Sequence, residues 1–204
     1  MNAIKRLTVF VLAMTLFSFT YPEKNETKPK LVVIDVAHGG KDSGFTFEGI
    51  NEKEIVKNIA DRIVALNSNS DINIVLNRTE DTFISLSERV SHINNLKPDA
   101  VISLHINGSN VNDTNSGFEV YTSGKSKESL KLAEIFQKEF HSHKAGEKIV
   151  VKEAGFYILK NIEAPAVVIE MGFLTNEGDR ELILSDNGQE KIAKFILKSL
   201  QNLN

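Results

Sequence analysis

Residues 31–38 read Leu-Val-Val-Ile-Asp-Val-Ala-His. The unbroken apolar run Leu31 to Ile34 is the signature of a strand buried on both faces, and within four residues it gives way to an acid, Asp35, and an imidazole, His38. Two later stretches repeat the pattern: residues 100–105, Ala-Val-Ile-Ser-Leu-His, end on His105, and residues 166–170, Ala-Val-Val-Ile-Glu, end on Glu170. Ile72 to Leu76 and Phe118 to Tyr121 read as further strands. Between them apolar residues recur at helical spacing, with Ile55, Ile59, Ile63 and Leu66 within Glu52 to Leu66, and Leu86, Val90 and Ile93 within Ile84 to Leu96, which Pro98 stops. Ser126 to His143 and Gln189 to Leu200 complete the helices. Such alternation predicts an α/β fold, a single domain with a mostly parallel central sheet and helices on both faces.

Composition narrows the function. Of 204 residues 41% are hydrophobic and 25% charged, an ordinary globular balance, so disorder and coiled coil are excluded as the dominant state. With 24 Lys and Arg against 27 Asp and Glu, no basic block and no Trp, the chain has no electrostatic case for a nucleic-acid partner. Cysteine is absent, which removes disulfides, thiolate metal sites and cysteine nucleophiles. Any metal must be held by His and carboxylate.

The first residues stand apart from the fold. Lys5 and Arg6 precede the apolar run Leu7 to Phe19, the layout of a secretory signal peptide. At 1.5 Å per residue that run spans about 20 Å, short of the ~30 Å hydrocarbon core, so a stable transmembrane span is not expected. The reading is a signal peptide over residues 1–22, a polar linker over 23–30 and a catalytic domain over 31–204, exported to the periplasm or cell envelope.

In an open parallel sheet, ligands bind outside the carboxyl ends of the strands, and His38, His105 and Glu170 all follow or close a strand. Singly, each is an ordinary structural residue; together they point to one site. Two imidazoles and one carboxylate, with a position left for water, form the donor set of a catalytic zinc ion. The third ligand is sought in Gly49-Ile50-Asn51-Glu52-Lys53-Glu54, which opens the first helix. Asn51 suits the N-cap and Glu54 the N3 position of a capping box; Glu52 is left free to turn toward the sheet, and it is chosen as the ligand. Glu170 then remains as a base that takes a proton from water and passes it to a leaving nitrogen. Asp35 is placed to accept a hydrogen bond from a ligand imidazole and fix its tautomer. Arg78 and Arg89 are read as structural ion pairs.

These residues resemble a known family, the zinc-dependent N-acetylmuramoyl-L-alanine amidases called Amidase_3. VVIDVAHGGKDSG (32–44) is similar to its first histidine motif, GINEKEIV (49–56) to its glutamate motif and LNRTEDTFISLSERV (76–90) to its Arg-Thr segment. ISLHING (102–108), AGFYILK (154–160) and VVIEMGFLTN (167–176) match its second histidine motif, the segment before the last core strand and the catalytic glutamate motif. The resemblance runs from Leu31 to Leu200 in the family's order. It implies one Zn2+ per chain held by His38, Glu52 and His105, with Glu170 as catalytic base. It also implies peptidoglycan as substrate, cut at the amide between the lactyl group of N-acetylmuramic acid and L-alanine. The chain departs from the family at Val36-Ala37, where Pro-Gly is common, and at Ser43, where Pro is common. Thr122 to Glu153 is too short for the inserted helix that plugs the site in some relatives, so an open site is expected. Two other classes remain as rivals: a catalytically silent peptidoglycan-binding relative, and another zinc hydrolase of the envelope such as a deacetylase or peptidase.

Overall fold

The computed structural model describes residues 28–109, 115–124, 126–143 and 149–203. The expected signal peptide, most of the linker, and Asn110 lie outside the described residues. Strand β1 (Lys30–Val36) is followed by a small hairpin, β2 (Thr46–Phe47) and β3 (Ile50–Asn51), helix α1 (Glu52–Leu66) and strand β4 (Ile72–Leu76). Then come α2 (Leu86–Leu96), β5 (Ala100–Asn107), β6 (Glu119–Thr122), α3 (Lys127–His143), β7 (Val150–Glu153), α4 (Tyr157–Asn161), β8 (Ala166–Phe173), α5 (Glu177–Leu184) and α6 (Asp186–Leu200). Six strands form one sheet in the order β4-β1-β5-β8-β6-β7. Every neighbouring pair is parallel except β6 against β8. The mostly parallel α/β sheet expected from the apolar runs is present.

Alternation along the strands sorts the two faces. Val32, Ile34 and Val36 of β1, Ile102, Leu104 and Ile106 of β5, and Val167, Ile169 and Met171 of β8 pack with α1, α3 and α6 in the larger core. Val33, Val101 and Val168 point the other way, against Val90 and Ile93 of α2, Ile158 and Leu159 of α4, and Ile162 just after α4. Burying each such side chain contributes about 1.5–3 kcal/mol before entropy is counted. Register carries the same parity into the chemistry. Asp35 pairs with Ser103 across β1 and β5, His105 with Glu170 across β5 and β8, and Glu119 with Glu170 across β6 and β8. These polar groups share the face covered by only two helices, one of them five residues long.

Several boundaries differ from expectation for identifiable reasons. β5 and β8 continue past His105 and Glu170, to Asn107 and Phe173, so the two residues sit within strands instead of closing them. α2 starts at Leu86 behind a capping box in which Ser85 accepts the Glu88 N–H and the Glu88 side chain returns to the Ser85 N–H. The capping box expected at Asn51 and Glu54 does not form. Asn51 holds the N-cap position with no side-chain cap bond, and its Nδ2 donates to Glu54 Oε1 at 3.1 Å. No helix among the described residues is long and apolar enough to cross a membrane.

Candidate metal centre and active site

The loop carrying His38 leaves β1 against a clamp of two buried arginines. Arg78 donates from Nε to Val36 O at 3.0 Å and from Nη2 to Ala37 O at 2.9 Å; Arg89 donates from Nη1 to Val36 O at 2.8 Å and from Nη2 to His38 O at 3.1 Å. His38 has φ +60°, a left-handed conformation that costs a non-glycine residue energy and persists only when its surroundings impose it. Arg89 also forms the expected ion pair, with Asp35 at 2.6 Å. Arg78 is structural through main-chain carbonyls instead of an ion pair. Asp35 requires a larger correction. Its carboxylate accepts from Arg89, from Ser103 Oγ at 2.6 Å and from Asn77 Nδ2 at 2.5 Å, so it anchors the clamp and does not orient an imidazole. That contact belongs to Asp42, whose Oδ2 lies 2.9 Å from His38 Nδ1.

With Asp42 on Nδ1, the other nitrogen of His38 turns inward. His38 Nε2 is buried, has no hydrogen-bond partner, and lies 3.0 Å from Glu52 Oε1. His105 Nδ1 lies 3.1 Å from the same oxygen. One donor atom from each of His38, Glu52 and His105 falls within 4.8 Å of the others. Glu52 reaches this point because the hairpin, closed by Glu48 and Gly49 with φ +50° and +79°, folds the chain back over the start of α1. Phe45 N then donates to Glu52 Oε2 at 2.7 Å, and Ile106 N donates to Oε1 at 3.0 Å. A side chain at Gly44 would force its neighbours to shift, since a Cβ there would come within 2.5 Å of Glu52 Oε2 and 2.7 Å of His38.

The electrostatics agree with the geometry. Burial alone would raise the Glu52 carboxyl, but the imidazoles of His105 and His38 beside it outweigh that effect and hold the group well below the usual carboxylate range. Burial would lower both imidazoles. Glu52 and Asp42 instead raise His38, and Glu52 with the charge of Glu170 raises His105. Glu170 behaves oppositely: burial, opposed by His105 and reinforced by the carboxylates of Glu52 and Glu119, pushes it up to about 7. Its Oε2 is buried and has no hydrogen-bond partner. Glu119 was not anticipated from sequence; it is held by Lys152 Nζ at 2.5 Å, Tyr121 OH at 2.6 Å and Asn107 Nδ2 at 3.3 Å. His38, His105 and Glu170 line one cleft of about 720 Å³, and no described residue between Thr122 and Glu153 lines it.

Polar residues at and after the ends of β5 and β8 make structural contacts. Asn107 Oδ1 accepts from Gly108 N, Thr175 Oγ1 from Ser109 N, and Asn176 caps α5.

A buried imidazole nitrogen lacking a proton partner, facing a carboxylate oxygen and a second imidazole, suits a divalent ion. In tetrahedral coordination with bonds of about 2.0–2.1 Å, donors stand roughly 3.3 Å apart, close to the 3.0 and 3.1 Å found here. The family model for Amidase_3, N-acetylmuramoyl-L-alanine amidase, matches residues 32–202. The chain belongs to the Amidase_3 family. Its domain is an N-acetylmuramoyl-L-alanine amidase domain, a hydrolase fold. It is 33% identical over 175 residues to the N-acetylmuramoyl-L-alanine amidase LytC of Bacillus subtilis, covering 85% of this chain but 35% of LytC. It is 31% identical over 175 residues to YqiI of the same organism, covering 85% of this chain and 84% of YqiI. The crystal structure of an N-acetylmuramoyl-L-alanine amidase from Clostridium difficile 630 superposes with a TM-score of 0.80 at 30% identity, covering 86% of this chain and 96% of that one. The Amidase_3 match and the α/β fold agree with the expectation from the sequence motifs.

Proposed function

We propose that this chain hydrolyses the amide between the lactyl carbonyl of N-acetylmuramic acid and L-alanine in peptidoglycan, outside the cytoplasm, with one zinc ion held by His38, Glu52 and His105 and with Glu170 as the base. The observation that carries this reading is the unpartnered His38 Nε2 set against Glu52 Oε1, in one cleft with the unpartnered Glu170 Oε2. Two nitrogens and one carboxylate, with no sulfur, suit zinc among the common ions. Such an ion, when bound, supplies Lewis acidity toward a carbonyl and toward water.

The chain's own groups do the rest. Asp42 holds the His38 ring so that Nε2 presents its lone pair, and Glu52 is fixed by two main-chain N–H donors. Glu170 is raised to about 7 by burial, close to the pH at which a proton carrier both accepts and donates well. As water adds to the lactyl carbonyl, Glu170 accepts its proton. It then delivers that proton to the alanine nitrogen as the C–N bond breaks, leaving a lactyl carboxylate and a free amino terminus. Export of the chain places it where this substrate lies.

Paired variants test the assignment of roles. Glu170→Gln should lower turnover by at least about 10²-fold while the protein still binds one zinc per chain, because the base is not a ligand. His105→Ala should lose both. Loss of zinc from a folded Glu170→Gln protein would make Glu170 a ligand and overturn the scheme.

A further inference from the structure

Nine large hydrophobic side chains are exposed among the described residues, and four of them, Phe83, Leu86, Phe156 and Tyr157, line the cleft that holds His38, His105 and Glu170. They are between 41% and 53% exposed. Phe83 and Leu86 come from the segment entering α2, and Phe156 and Tyr157 from the start of α4, so the apolar surface flanks the cleft from two separate elements. The Phe156 ring leans on Tyr121 with centroids 5.2 Å apart, which gives that side a backing. Exposed apolar surface gathered at one concave site marks a ligand surface.

The charges beside this surface are mostly paired within the protein, Asp35 with Arg89 and Asp42 with His38, so its apolar rings set the ligand. The ionisable residues lining the cleft include three acids, Asp35, Asp42 and Glu170, and a single arginine, Arg89, which is committed to Asp35 and main-chain carbonyls. A lysine at the rim, Lys41, lies with Nζ 4.4 Å over the Phe83 ring. A stem peptide of small side chains would leave these large rings unfilled. A glycan of N-acetylated hexosamines is uncharged once its lactyl group is amidated, and its sugar rings present C–H faces that pack on aromatic surfaces.

We infer that Phe83, Leu86, Phe156 and Tyr157 form a saccharide subsite that grips the N-acetylmuramic acid side of the scissile amide, leaving the peptide as the loosely held product. The inference rests on the amidase reading and extends it to specificity. Its test uses two soluble substrates, N-acetylmuramoyl-peptide and the same peptide carrying only a D-lactyl group. The readout is the ratio of their kcat/KM values. The intact chain should favour the sugar-bearing substrate. Phe83→Ala and Tyr157→Ala, on the two sides, should each lower that preference roughly ten- to a hundredfold, the scale of losing one large apolar contact. Phe83→Tyr should retain it, and so should Leu130→Ala, an exposed apolar position on α3 that does not line the cleft. An unchanged preference overturns the inference alone: with equal losses on both substrates the aromatic residues hold peptide, and with no loss on either they hold no part of the substrate. Failure of the intact chain to cleave either substrate or purified sacculi would overturn the amidase reading, and this inference with it.

Discussion

Glu52 Oε1 faces His38 Nε2, His105 Nδ1 and the Ile106 N–H at 3.0–3.1 Å, a concentration of donors around one oxygen that a carboxylate alone does not need. In the metal-free chain the imidazoles answer that charge by keeping protons. Both are raised above the ordinary imidazole value, so each keeps its proton to higher pH than a free imidazole does and loses it as pH rises through the folded-state value. The stabilisation they draw from Glu52 is full at low pH and is lost on the alkaline side. A metal ion requires both rings neutral, so binding must expel protons. Zinc titrated calorimetrically into metal-free protein at pH 6.5, in buffers of different ionisation enthalpy, should release at least about one proton per ion. Binding with no proton release would place the ion elsewhere. Sequence made His38, His105 and Glu170 legible because each follows an apolar strand. Asp42 and Glu119 were not legible: one lies in a glycine-rich loop whose path depends on Arg78 and Arg89, and the other gains its meaning only from the β6–β8 pairing.

Among the elements, Glu52 opens the long helix α1 and His105 lies within β5, but the segments that set how the three side chains meet, the His38 loop and the β2–β3 hairpin, are short and irregular, and their demands are local. The segment from Gly39 to Gly44 closes on itself through a Gly39–Asp42 bridge, and the hairpin after it brings Phe45 onto Glu52. Gly44, at φ +66°, sits against both Glu52 and His38. Gly44→Ala should therefore cost about 1–2 kcal/mol in backbone strain and, by displacing the Glu52 carboxylate, weaken zinc binding more than it weakens folding. Equal zinc affinity in the two proteins would separate this loop from the metal centre. The long buried strands were readable because a short, continuous apolar run rich in Val and Ile fits a strand covered on both faces better than a surface helix or a loop. The β2–β3 hairpin was not, since strands of two residues carry no periodicity and its turn is Glu48-Gly49 in place of a stronger signal such as Asn-Gly. β7 escaped for a related reason: it lies at the sheet edge, with Val150 exposed and only Val151 packed against the larger core.

For the whole molecule, the sheet supplies stability, and zinc bound at the proposed site is expected to add to it. Four helices, α1, α3, α5 and α6, contribute to the core on one face; the other is left thin at the carboxyl ends of β5 and β8, which exposes the cleft. Free zinc at a hundred times its Kd should stabilise the fold by about 2.7 kcal/mol, raising Tm by roughly 5–10 °C for a domain of this size; a thermal scan with and without chelator measures it, and no shift would mean that the ion is not bound to the folded chain. The claim on which all scales converge is that two imidazoles and a carboxylate, gathered from distant segments, serve hydrolysis of one particular amide. Digestion of purified sacculi by zinc-loaded, chelated and Glu170→Gln protein, with quantification of new alanine amino termini and free lactyl groups, tests it most directly. The account predicts equal amounts of both ends from the zinc-loaded protein and neither from the other two; release of acetate, of other amino termini, or of alanine ends from the chelated protein would contradict it.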